Sequence, residues 1–491
     1  MNINFTNNIF GSNDDLKLIL LPIAKNDALS NVINSIANDY HFQKDILEQE
    51  FKAELKEQFS FYNNNLKVVL LGLGQVPNFI DIQNIFRSFV FQNKHKLPTN
   101  IGINTNYSID IHNKLVEATV NGLLLGRYSI GLFKSEINNY QFNQSDASIT
   151  LISNELDIVK NQADIAQKIA DTQLKIYDLV NNPSNVKTPK YLAQVAQSSG
   201  KEYGYDVKVF DKQDCIDMNF NALLSVNKGS PEEPVMIVME YKPKTKSKFS
   251  LGLVGKGVTF DTGGISIKPS TNMYYMKSDM GGAAAVMGAI EMIAKLELPI
   301  HTVAIVPSTE NCVDGNSTKP GDVIKSYLGK SIEVIDTDAE GRLILADALA
   351  YLSKNYKVDS IIDFATLTGS CLRTFGYICS GLFSNDDELS NNLFKAGEQC
   401  GERMWRLPIW DAYSDDLKSD IADLKNFSGK PSAGAISAAK FLEVFIDGHP
   451  SWAHLDIAGT AYSDSEYASQ KIATAYGVRL IYEFIQQKLV V

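Results

Sequence analysis

From Asn181 onward, short apolar runs alternate with stretches patterned at helical spacing. The runs at Val235–Met239, Leu251–Val254, Thr302–Val306 and Ser360–Phe364 are predicted strands, and Ala283–Leu296 and Ala346–Leu352 are predicted helices. Such alternation predicts a mostly parallel sheet covered by helices on both faces. The N-terminal part reads as a separate unit, with buried strands at Leu16–Pro22 and Leu66–Gly74. Between the two parts, Ile158, Ile165, Ile169, Ile176 and Val180 repeat at helical spacing until Asn181-Asn182-Pro183 stops the pattern. The expectation is an α/β protein of two domains, each a mixed or mostly parallel sheet flanked by helices. It comprises an N-terminal domain over 1–155, a connecting helix over 156–180 and a larger C-terminal domain over 181–491.

The length of 491 residues fits that division, and an apolar fraction of 44% allows a large core. The net charge of −11 argues against nucleic acid as the main partner, since phosphate binding needs basic surface. No apolar run reaches the roughly 20 residues of a membrane helix. The start, Met1-Asn2-Ile3-Asn4-Phe5, lacks the basic and apolar regions of a secretion signal. Five cysteines without paired spacing suggest reduced thiols and a cytoplasmic location. Lys242, Lys244, Lys246 and Lys248 read as a solvated loop between strands. Gly72-Leu73-Gly74 lacks the rest of any phosphate-binding fingerprint and reads as a turn ending a strand.

The chemistry concentrates in two segments. Asp338-Ala339-Glu340-Gly341-Arg342 follows the apolar run Ile332–Ile335 and precedes Leu343-Ile344-Leu345-Ala346. Upstream, Lys256, Asp261, Lys268 and Asp279 lie among glycines after Leu251–Val254. Open α/β sheets carry their chemistry beyond the carboxyl ends of strands, and both segments follow predicted strands, so one shared site is reasonable. Asp261, Asp279, Asp338 and Glu340 together carry −4, which two divalent ions would neutralise. Without ions these acids would repel one another and take up protons. Two ions about 3.5–4 Å apart can clamp a hydrolytic transition state. The bland alternative for Asp338, Glu340 and Arg342 is a surface ion-pair turn. The six histidines (His41, His95, His112, His301, His449, His454) show no ligand spacing, and His454 reads as a hydrogen-bonded core residue.

These motifs resemble the leucine aminopeptidase (cytosol aminopeptidase, M17) family. The resemblance rests on Thr337–Leu343, Val254–Gly264, Asn272-Met273 with Asp279–Gly282, Ala365–Gly369 and Trp452–Ala461, in that family's order. The N-terminal part matches weakly, mainly at Gly122–Gly126. The resemblance implies a leucyl aminopeptidase that removes N-terminal residues from peptides through a water activated by two metals. Lys256, Asp261, Asp279 and Glu340 would hold the tighter ion. Asp261, Asp338 and Glu340 would hold the exchangeable one, Asp338 also through its carbonyl. Lys268 and Arg342 would be the catalytic pair, with bicarbonate on Arg342 as general base. Met276 and Ala458 would floor the side-chain pocket, and Thr366 and Leu367 would contact the substrate backbone. Zinc, manganese or magnesium, peptide substrates and a homohexamer are implied as well.

Two places depart from the family: Asn219-Phe220-Asn221 stands where relatives tend to carry small residues, and Asp336 stands where they usually have asparagine. The added charge is expected to favour tighter binding or harder metals, or else to pair with a surface lysine. Two competing functions stay open. One is DNA binding, known among some bacterial relatives and disfavoured by the acidic balance. The other is phosphoester hydrolysis by the same carboxylates, against which Lys256 and the apolar pocket count.

Overall fold

The computed structural model describes residues 1–8, 16–108, 114–136 and 140–490. The chain divides into two compact units, 1–171 and 172–491, and the division falls inside the long helix Leu156–Asn181 (α1). All five cysteines are free thiols. Among the described residues no helix is long and apolar enough to cross a membrane. His112 lies outside the described residues.

The first unit is built on a six-stranded sheet. Its order is Asn2–Thr6, Ser148–Ile152, Asn100–Asn104, Leu18–Ile23, Leu66–Gly72 and Gln58–Asn63. All neighbours are parallel except the last pair. Leu18–Ile23 is buried along its whole length, as a two-face-covered strand must be. Leu66–Gly72 ends in a turn at Gly74, whose φ is +77°.

The second unit carries a nine-stranded sheet. In chain order its strands are β1 (Asp206–Phe210), β2 (Val235–Tyr241), β3 (Ser250–Gly255), β4 (Gly257–Asp261), β5 (His301–Asn311), β6 (Ser360–Ala365), β7 (Ser380–Ser384), β8 (Met404–Arg406) and β9 (Trp452–Asp456). The spatial order is β8-β7-β9-β6-β3-β5-β2-β1, with β4 beside the far end of β5. The central four, β5-β3-β6-β9, run parallel, while β2 and β7 flank them antiparallel. The sheet is mixed: β3, β5 and β6 of its parallel core fall on strands read from the sequence, β9 does not, and β2, also read as a strand, lies antiparallel beside the core. The four lysines from Lys242 to Lys248 lie in the connection between β2 and β3, where Lys242 and Lys244 are exposed.

Helices α2 (Gly281–Lys295) and α3 (Glu340–Asn355) cover the centre of this sheet. They lie on opposite faces, as the alternation along β3 shows. Gly252 faces Leu352 of α3, whereas Gly255, three positions on, faces Gly282 and Ala283 of α2. On the α3 side Val254, Val303, Ile305, Leu345, Leu349 and Ile361 form one buried cluster.

One expectation is corrected here. The apolar run before Asp338 yields only the strand Ser331–Glu333, which belongs to a separate three-stranded sheet with Val323–Lys325 and Leu424–Lys425. Asp338 and Glu340 therefore do not follow a strand of the main sheet. They reach the site through the start of α3, which begins at Glu340, six residues before the predicted helix.

Candidate active site

The parallel core places four segments at one end. Lys256 follows β3, Asp261 ends β4, Thr366 and Leu367 follow β6, and Asp456 ends β9. Parallel strands deliver their carboxyl ends to the same side, so these residues meet without being neighbours in sequence. Asp279 arrives just ahead of α2. Glu340 occupies the first turn of α3, where unsatisfied N–H groups favour an anion.

All of these residues except Asp456 line a cavity of about 350 Å³. Lys256, Asp261, Lys268, Asp279, Asp338 and Glu340 form its charged end. Met276, Thr366, Leu367 and Ala458 line it too. Arg342 does not. It is buried beneath the site, where its Nη1 donates to the Asn426 carbonyl at 2.7 Å and its Nε has no hydrogen-bond partner among the described residues. Burial pushes its pKa down to about 10.

The charges pair in an ordered way. Lys256 Nζ lies 2.9 Å from Asp279, 2.8 Å from Glu340 and 2.9 Å from the Thr366 carbonyl. Lys268 Nζ lies 2.8 Å from Asp261 and 2.5 Å from Asp338. Burial opposes the charge on both lysines, yet the surrounding carboxylates outweigh it and hold both pKa values above the usual range. Two lysines do not balance four acids. Burial, reinforced by the like charges of Asp261 and Glu340, pushes Asp279 up to about 8 and Asp338 up to about 7. Glu340 shifts the other way: burial raises it, but Lys256 and Lys268 overcome burial and lower it.

The donor set fits divalent cations. Oxygens of Asp261, Asp338 and Glu340 lie within 4.8 Å of one another, close enough to share an ion. Glu340 Oε2 is buried without a hydrogen-bond partner among the described residues, which is costly unless a cation claims it. Hard cations and zinc both accept carboxylate oxygen.

A supporting layer escaped the sequence reading. Asn311, at the end of β5, donates to Asp261 at 2.8 Å and to the Thr337 carbonyl at 3.0 Å. Thr366, read from the sequence only as a substrate contact, also donates through Oγ1 to Asp279 at 2.7 Å. Asn426 accepts from Ile335 N and donates to the Asp336 carbonyl, fixing the turn that carries Asp338. Lys187 is fully buried, and its Nζ donates to the carbonyls of Val180 and Lys277, 2.8 and 2.6 Å away. Burial, with Lys277 nearby, drives its pKa well below the lysine range. It ties the segment bearing Met276 and Asp279 to the end of α1. No periodicity marks such residues; each is recognisable only by partners distant in sequence.

Asp336 accepts the backbone N–H of Asp338 at 2.9 Å. It therefore shapes the turn through its side-chain oxygen, and among the described residues no lysine pairs with it. His454 is buried, its Nδ1 2.6 Å from Asp363 on the neighbouring strand, while Trp452 donates to the other Asp363 oxygen at 2.7 Å. Burial disfavours the imidazolium, but Asp363 outweighs burial and raises the His454 pKa. His454 is a core residue, as read from the sequence.

A mixed α/β unit with acids and lysines converging beyond its parallel strands defines a hydrolase-type cavity suited to cations. The comparisons place it more closely. The profile described as cytosol aminopeptidase family, catalytic domain, matches residues 176–482. A "Probable cytosol aminopeptidase" of Chloroherpeton thalassium is 39% identical over 514 aligned residues, covering 99% of both chains. A protein of the same description from Chlorobaculum tepidum is 52% identical over 309 residues, covering 63% of this chain and 61% of its own. Among solved structures, "Bottromycin maturation enzyme BotP in complex with Mn" superposes with a TM-score of 0.83 at 27% identity, covering 96% of this chain and 99% of its own. The chain belongs to the cytosol aminopeptidase family, and it is an aminopeptidase.

Proposed function

We propose that this aminopeptidase removes N-terminal residues, leucine and similar side chains by preference, from peptides at a pair of divalent ions. The observation that carries this reading is the clustering of Asp261, Asp338 and Glu340 oxygens within 4.8 Å in a cavity that also holds Lys256 and Asp279. Lys256, Asp261, Asp279 and Glu340 would hold one ion. Asp261, Asp338 and Glu340 would hold the other, with Asp261 and Glu340 shared. Zinc, manganese or magnesium, when bound, would supply charge that polarises the scissile carbonyl and eases ionisation of water.

The chain's own groups do the rest. Lys256 can ligate only as the neutral amine, so it must give up its proton and exchange its ion pairs for a cation. Lys268, released from Asp261 and Asp338, keeps its proton and donates to the oxyanion of the tetrahedral intermediate. One such donor is commonly worth about 3–4 kcal/mol. The apolar walls at Met276 and Ala458 receive the side chain, and the backbone around Thr366 and Leu367 orients the peptide. Arg342 is assigned bicarbonate as a borrowed base. Its orphaned Nε is a suitable donor, and Nη1 would have to leave the Asn426 carbonyl for a two-point contact. A homohexamer and a cytoplasmic location complete the proposal. Light scattering on the purified protein tests the first.

The decisive experiment is elemental analysis with activity before and after chelation. Leucine-p-nitroanilide and p-nitrophenyl phosphate are assayed in parallel with manganese. Two metals per chain and chelator-sensitive release of leucine are expected, following the two-ion arrangement. Phosphate release without leucine release would overturn the peptide reading.

A further inference from the structure

Three lysines line the cavity, and they are not alike. Lys256 and Lys268 sit among acids. Lys471, just before the short strand Ile472–Ala473, has no acid within ion-pair distance among the described residues. Its Nζ instead bonds the Tyr377 hydroxyl and lies 4.3 Å from the centroid of that ring and 5.3 Å from that of Tyr275. Tyr275 in turn meets Tyr462 edge-on at 5.9 Å, and all three tyrosines line the cavity. Asp464 is close enough to influence the Tyr275 hydroxyl but does not pair with Lys471.

An ammonium held against aromatic faces is oriented and partly desolvated, yet its charge is not neutralised. The cavity thus has an acidic, cation-binding part and a separate basic group with spare hydrogen-bonding capacity. A short peptide has the same polarity: an amine at one end and a carboxylate at the other. Extended chain spans about 3.3–3.6 Å per residue, so the carboxylate of a two- or three-residue peptide stays within a cavity that binds its amine. A long peptide offers no charge there.

We infer that Lys471, braced by Tyr377 and Tyr275, receives the C-terminal carboxylate of the substrate, so that di- and tripeptides with a free carboxyl end are the preferred substrate class. This rests on the aminopeptidase reading of the cavity and adds to it the far end of the substrate.

The test compares kcat/KM for Leu-Gly, Leu-Gly amide and leucine-p-nitroanilide on manganese-loaded enzyme. The wild type should favour Leu-Gly over its amide by about tenfold, the scale of one charge-assisted hydrogen bond. Lys471→Met should abolish that ratio mainly through KM, and Lys471→Arg should retain most of it. Equal use of acid and amide by the wild type overturns the inference and needs no variant. A Lys471→Met enzyme that keeps the wild-type ratio overturns it as well. Cleavage of all three substrates without discrimination leaves the aminopeptidase standing and removes only the subsite. Cleavage of none removes both.

Discussion

Gly341→Ala is the substitution whose outcome most directly tests the proposed ligand geometry. Gly341 lies in the first turn of α3, beside Glu340, with ordinary helical backbone. A methyl group there would sit 2.6, 2.7 and 2.8 Å from Lys256 Cε, Cδ and Nζ. Carbon atoms in contact prefer about 3.5–4.0 Å, so the end of Lys256 must retreat by about 1 Å. That end is flexible, and the helix itself gains about 1 kcal/mol from alanine over glycine. The fold should therefore survive. The amine, however, would leave the point between Asp279 and Glu340 that it now occupies, 2.9 and 2.8 Å from each. A misplacement of about 1 Å at a reacting constellation costs about 100-fold in rate. The expected result is a folded protein, its melting temperature within a few degrees of wild type, with lowered metal content and kcat/KM down about 100-fold. Elemental analysis, thermal melting and leucine-p-nitroanilide hydrolysis on one preparation decide it. Normal metal content with wild-type turnover would refute the placement of Lys256 as a ligand.

Four further outcomes are expected. Lys268→Ala should lower turnover by about 100- to 1,000-fold, the usual scale for an oxyanion donor, with metal content near normal; loss of metal instead would mean Lys268 is a ligand. Loading the metal-free protein should release protons, because Asp279 and Asp338 are held up to about 8 and 7 and Lys256 stays protonated. Both raised carboxyls are largely protonated at pH 6 and largely ionised at pH 9, so calorimetric proton release per ion should fall as pH rises between them; release independent of pH would contradict these shifts. Asp336→Asn keeps the acceptor for Asp338 N and removes only the charge, so zinc and manganese affinity should drop about threefold, as befits a half-exposed charge; superimposable titrations would show the charge to be idle. Lys187→Met frees the carbonyls of Val180 and Lys277, and KM for leucine substrates should rise about three- to tenfold while metal content holds, through loosening of the segment carrying Met276.

The sequence disclosed the elements whose residues obey a local rule. β3, β5 and β6 announce themselves as apolar runs because both faces of a parallel core are covered, and their antiparallel neighbour β2 is buried nearly throughout as well. The acids stand out for the opposite reason: four carboxylates near strand ends violate what folding alone prefers. Hidden were features set by partners far along the chain. Ile332–Ile335 looks apolar enough for the main sheet, yet the strand formed there, Ser331–Glu333, pairs with Val323–Lys325 and Leu424–Lys425. Arg342 shares a motif with Glu340 but points to the Asn426 carbonyl, because successive helical positions face different directions. Asn311, Asn426 and Lys187 carry no local signal at all.

The glycines connect these two observations. Taken singly in the sequence they mark only turns, and their role emerges from what a side chain would strike. A methyl group on Gly282 would meet the Phe364 carbonyl oxygen at 2.0 Å and Lys256 N at 2.9 Å. One on Gly255 would meet the Gly282 carbonyl oxygen at 2.4 Å. Here the start of α2 and the ends of β3 and β6 touch backbone to backbone, and Lys256 N bonds the Phe364 carbonyl while Ala283 N bonds that of Lys256. Any side chain at Gly282 would wedge these three segments apart. Asp279, Lys256 and Thr366 flank that contact on the three segments, so their convergence depends on atoms that are missing. The site is written in the acids, but the distance between them is set by the absence of Cβ.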